Sequence, residues 1–76
     1  MTTAIKDVEY YMALRYPILL TPEEEGWSAR IAELQGCVGA GDTIQEALEM
    51  LEDARRGWIE VSLMYDDPIP EPKVTM

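Results

Sequence analysis

Seventy-six residues, 47% of them hydrophobic and 28% charged, suit a single folded domain and are too apolar for a disordered chain. Six basic residues against fifteen acidic ones leave a net charge of −9, which repels phosphate and makes a basic protein a better partner than a nucleic acid. One cysteine and no histidine exclude an internal disulfide and a zinc site of the usual ligands.

Ile5, Val8 and Met12 recur at helical spacing with Tyr11 beside them, so the first dozen residues read as a short helix capped by Thr2 or Thr3. Arg15 to Thr21 reads as a strand with Tyr16, Ile18 and Leu20 on one side; Pro17 confines it to an edge or a strand start. Pro22 to Gly26, with three consecutive glutamates inside, reads as a turn. Trp27, Ala29 and Ile31 then alternate with Ser28, Arg30 and Ala32, the pattern of a half-buried antiparallel strand. Gly36 relieves the next turn. Cys37 to Gly41 is a thin third strand whose glycines predict close packing by another backbone.

Thr43-Ile44-Gln45-Glu46 is a capping box, in which Glu46 is expected to reach the amide of Thr43. The helix it opens is predicted to run from Ile44 to about Met64. Its apolar stripe is Ile44, Ala47, Leu48, Leu51, Ala54, Trp58, Val61 and Tyr65, and Glu52 to Arg56 is an i,i+4 ion pair on its wet face. Gly57 costs about 1 kcal/mol in a helix interior and suggests close approach by another chain. Asp66 to Pro72, with three prolines, favours extended geometry, and Val74 to Met76 have the composition of a short added strand.

The residues are poor in catalytic chemistry. Without histidine there is no Ser–His or Cys–His pair, and Cys37 reads as a small buried apolar residue. Glu23, Glu24 and Glu25 are consecutive in a turn, which is not calcium-loop spacing, and Gly36 to Gly41 lacks the lysine of a phosphate loop. No catalytic residue, metal ligand or cofactor is therefore expected. Glu49, Asp53 and Glu60 are candidate contacts for a basic partner. Met50, Gly57, Ile59, Leu63 and Met64 broaden the apolar surface of the long helix and are candidates for an oligomer interface, unless the N-terminal helix covers them. No apolar run reaches the ~18 residues of a membrane span and the N-terminus lacks a signal-peptide core, so a cytoplasmic location is expected.

Several short motifs, taken in order, resemble the HicB-like antitoxin domain: Tyr16 to Leu20, Glu25-Gly26-Trp27-Ser28-Ala29, Glu33-Leu34-Gln35-Gly36-Cys37, Gly41-Asp42-Thr43 with Glu46-Ala47, and Ile69-Pro70-Glu71-Pro72. The resemblance covers residues 15 to 72. It implies a core related to part of the ribonuclease H fold, generally without nuclease activity, that binds and neutralises a small basic HicA toxin, an mRNA-cleaving protein. It also implies a homodimer or homotetramer. This chain departs from the pattern at Ala32 and Gln35, where relatives often carry proline. Relatives usually continue into a segment that binds operator DNA, and none is legible in these residues, so autorepression is not expected; the net charge is what argues against direct nucleic-acid contact. A working ribonuclease H also needs metal-binding carboxylates in its first strand, and Arg15 to Leu20 has none.

The expectation is thus an α+β domain: an N-terminal helical extension (1–14), a core of three-stranded antiparallel meander and one long amphipathic helix (15–65), and an extended Pro-rich tail (66–76). It is expected to be a non-enzymatic antitoxin domain acting by steric occlusion. The alternative is an orphan self-assembling scaffold domain of the same fold without a toxin partner.

Overall fold

The computed structural model describes residues 6–72, with elements in the order α1 (Val8–Met12), β1 (Leu19–Glu23), β2 (Gly26–Arg30), β3 (Val38–Gly41) and α2 (Ile44–Met64). The strands form one antiparallel sheet in the order β1-β2-β3, and α2 lies against β3 and β2, giving the expected α+β fold. Thr2, Thr3 and the suggested strand at Val74 to Met76 lie outside the described residues. The cap of α1 is Asp7, whose carboxylate accepts from the Tyr10 amide at 3.0 Å. A helix this short has no stability of its own and depends on what it packs against.

Two strand boundaries differ from the sequence expectation. β1 starts at Leu19, because its partner β2 ends at Arg30, and Leu19 is the residue paired with Arg30. Tyr16 to Ile18 have no strand opposite them; Tyr16 is instead buried in the core, while Ile18 is exposed. At the other end Pro22 lies in β1, paired with Trp27, and the hairpin turn is only Glu24-Glu25. Ladder alternation explains how proline is tolerated. Ile31 donates to the Cys37 carbonyl at 3.3 Å, so the residues of β2 that bond β3 are Ala29 and Trp27, and those that bond β1 are Ser28 and Arg30. Pro22, opposite Trp27, turns its nitrogen away from β2, where no ladder bond is lost.

The core gathers Tyr16, Ala29, Ile31, Leu34, Cys37, Ala47 and Leu51. Leu34 enters it from the loop between β2 and β3, where Leu34 donates to the Ile31 carbonyl and Cys37 to that of Leu34, and Gly36 takes a φ of +86° that disfavours other residues. The expected close approach at the thin strand is present. A Cβ on Gly39 would lie 2.3 Å from the backbone nitrogen of Leu51, and one on Gly41 would lie 2.7 Å from that of Ala47.

Thr43 caps α2 as expected, its hydroxyl accepting from the Glu46 amide at 3.1 Å. The return bond differs: Glu46 accepts from the amide of Asp42, at 2.9 Å, not from Thr43. Ala47, Leu48, Leu51, Ala54 and Trp58 of the expected apolar stripe lie in or against the core, and the stripe fails only at its ends. Arg55, Ile59 and Ser62 are buried, while Ile44, Val61 and Tyr65 are exposed. α2 also packs on α1, and Trp58 in its second half still lies against the core and donates to the Gln35 carbonyl at 2.8 Å. At its end, Asp67 donates to Ser62 O and Asp66 to Leu63 O, with Asp66 in the left-handed region, a turn that halts the helix before Pro68.

Two glycine substitutions have opposite expected signs. Gly39→Ala forces a side chain against helix backbone and costs about 3 kcal/mol, at the upper end of core overpacking. Gly57→Ala enters open space within α2 and stabilises by about 1 kcal/mol. Urea denaturation of the two variants against the parent measures both.

Candidate partner-binding surface

The position of α1 is set by Arg55. Its guanidinium donates to the backbone carbonyls of Tyr11 (3.1 Å), Met12 (2.7 Å) and Leu14 (2.6 Å), at and just past the end of α1. Its plane lies 5.3 Å from the Tyr16 ring centroid, and Glu52 stands 3.5 Å away. The expected Glu52–Arg56 pair is therefore replaced: Glu52 turns to Arg55, and Arg56 reaches Glu9 of α1 at 3.4 Å. A periodicity built on apolar residues assigns Arg55 neither to the wet face nor to the dry one, because it does not register a buried cation.

The segment before the strands also holds the tail. Tyr16 donates to the carbonyl of Pro70 at 2.6 Å, Ile69 packs against the core, and Glu71 accepts from Tyr10 and pairs with Lys6, each at 3.1 Å. Burial pushes the Tyr16 phenol up to about 12, which keeps it a donor. Hydrogen bonds from Lys6 and Tyr10 hold the Glu71 carboxyl below the ordinary glutamate value, and the same bonds raise Lys6 and Tyr10.

The outer face of α2 carries the residues singled out from sequence. At about 100° per residue, Glu49, Asp53 and Glu60 fall within about 40° of one another, and all three are exposed. Met50, Gly57 and Met64 form the adjoining stripe, with Met50 54% and Met64 74% exposed. Ile59 does not belong with them. It is fully buried, because it lies on the side of α2 where Arg55 and Arg56 grip α1, and Leu63, next along that side, is half-buried. Glu49, Met50 and Asp53 come together beside β3. There Val38, Gly39 and Ala40 face Met50, Asp53 and Ala54 across a groove of about 420 Å³, continuous with a second hollow that Glu46 and Glu49 line.

Residues 16–75 match the family described as HicB_like antitoxin of bacterial toxin-antitoxin system. The chain belongs to the HicB-like antitoxin family. It is 34% identical over 58 residues to a UPF0150 protein of Synechocystis, covering 75% of this chain and 80% of that protein. A UPF0150 protein of Thermoplasma acidophilum is 31% identical over 58 residues, covering 75% and 84% respectively. An uncharacterised 14.9 kDa protein of Haemophilus phage HP1 is 32% identical over 56 residues, and the match spans only 42% of its length.

In this HicB-like domain Cys37 is buried, and burial pushes its thiol up, away from the reactive thiolate. Among the described residues, no group of three or more Cys, Asp or Glu side chains is arranged to hold a metal ion. No described helix is long and apolar enough to cross a membrane. The surface features that remain are the acidic stripe, the apolar stripe beside it and the groove along β3.

Replacing Arg55 with Met leaves three carbonyls without their cation. The expected loss is about 3 kcal/mol in urea denaturation, with faster amide exchange in α1 than in the sheet. The tail clamp is expected to respond to acid. Because the folded value of Glu71 is lowered, its contribution is complete above the ordinary 4.5 and is lost as pH falls through the folded value. Acidification should then shift the NMR signals of Tyr10 and residues 69–71 together, and Glu71→Gln should abolish that transition.

Proposed function

We propose that this antitoxin domain binds a small basic toxin of the RNA-cleaving HicA type and neutralises it by covering the surface with which the toxin meets RNA. The acidic stripe of Glu49, Asp53 and Glu60, exposed on the longest element of an antitoxin-family domain, supports this reading best. A ribonuclease must hold a phosphate backbone with cations, and an acidic protein competes for those cations directly. Net charges of opposite sign steer the encounter, while the apolar residues between the acids supply contact area. Inhibition in this scheme needs no bond making by the domain itself, in keeping with a non-enzymatic role. Because the proposed target acts on mRNA, the proposed site of action is the cytoplasm.

The exposed apolar residues Val61, Met64 and Tyr65 at the end of α2, with half-buried Leu63, support self-association into a dimer or tetramer apart from the toxin surface. Met64→Glu is then expected to shift the sedimentation coefficient toward the monomer.

The test uses a purified small basic toxin of the HicA type. Stopped-flow mixing should show an association rate that falls steeply between low and physiological salt. The triple substitution Glu49→Gln, Asp53→Asn and Glu60→Gln should slow association about tenfold at low salt. No complex at any salt concentration contradicts the proposal; a stable homo-oligomer with no basic partner favours the scaffold alternative.

A further inference from the structure

The sheet has two edges, and they are built differently. On β1 the backbone groups that point away from β2 belong to Leu20 and Pro22, and Pro22 has no N–H to offer. Pro17 lies just ahead of the same edge. On β3 the ladder alternation turns the amides and carbonyls of Val38 and Ala40 away from β2. Among the described residues no strand pairs with them, and neither proline nor lysine guards this edge. An unguarded edge strand is a template for another strand.

The trough beside that edge states what kind of strand fits. Its apolar floor is Met50 and Ala54, and the carboxylates of Glu49 and Asp53 stand along it, with Glu46 and Asp42 at its far end. Among the described residues none of these four carboxylates is in an ion pair. A second copy pairing β3 to β3 across a two-fold axis would bring the same acids to the same seam. A strand carrying lysine or arginine would instead place cations against them.

Resting on the antitoxin reading above, we propose that the free edge of β3 is where the basic partner docks, adding an extended strand to the sheet. Val38 and Ala40 exchange backbone hydrogen bonds with it. Met50 receives an apolar side chain, and Glu49 and Asp53 meet its cations.

Amide hydrogen exchange on the unaltered chain, alone and with a purified basic toxin of the HicA type, tests the site. The expected result is at least tenfold slower exchange at Val38 and Ala40 in the complex. Ala40→Pro, which removes one outward N–H, and Met50→Glu, which charges the exposed floor, should each weaken binding at least tenfold, with circular dichroism confirming the fold. Should Ala40→Pro fail to fold, Met50→Glu and the exchange data decide. A complex that forms while Val38 and Ala40 exchange as in the free chain, or that both variants bind like the parent, overturns the site and leaves the antitoxin reading standing. Protection at these amides that rises with chain concentration alone also overturns it, since the occupant is then a second copy. No complex at all defeats the antitoxin reading and the site together.

Discussion

The close contact between β3 and the first half of α2 governs the rest of this structure. Because residue 39 has no side chain, strand backbone comes directly against helix backbone at Leu51, and Gly41 repeats the approach one strand period on, at Ala47. Seated so low on the sheet, α2 buries Ala47 and Leu51 completely or nearly so and turns the opposite side of its cylinder to solvent. That outward side is where Glu49 and Asp53 stand. The same geometry leaves β3 as a bare edge beside the helix, so packing and exposed surface are set by one contact.

The second half of α2 is steadied from the side as well. Arg55 holds three carbonyls at the end of α1, and Tyr16, against the same guanidinium, holds the tail through the carbonyl of Pro70. A buried cation is costly unless its donors are used: the three carbonyls serve Nη2 and Glu52 stands by Nη1, while Nε is buried without a partner. The N-terminal segment and the Pro-rich segment are thereby tied to one side chain neighbourhood. With α1 occupying the flank of Ile59, the acidic and methionine stripes are left as the open faces of the helix.

Much of this was legible in the residues. Alternation at Trp27, Ala29 and Ile31, the Thr43 cap and the glycines of the third strand each carry a local rule strong enough to survive folding. The misplacements share a cause, which is that long-range partners decide them. Pro22 reads as a turn residue until the ladder parity shows its nitrogen facing outward. Val61 and Tyr65 continue an apolar stripe at helical spacing, but the sheet ends before they reach it. Arg55 and Leu34 were missed because neither a charged residue in a helix nor a leucine in a loop announces burial by period. Of the residues chosen for the surface, Glu49, Met50 and Asp53 gather beside β3. Ile59 falls inside, since only the packed structure shows which side α1 covers.

An acidic surface, an open strand edge and membership of an antitoxin family together support the proposal that this domain acts by occupying another protein. The most direct measurement is cleavage of a defined mRNA by a purified HicA-type toxin, with the domain added in increasing amounts. Cleavage should fall linearly and stop near molar equivalence, with the RNA left intact by the domain alone. Cleavage that continues undiminished in excess domain, or RNA degraded by the domain itself, would contradict the central claim.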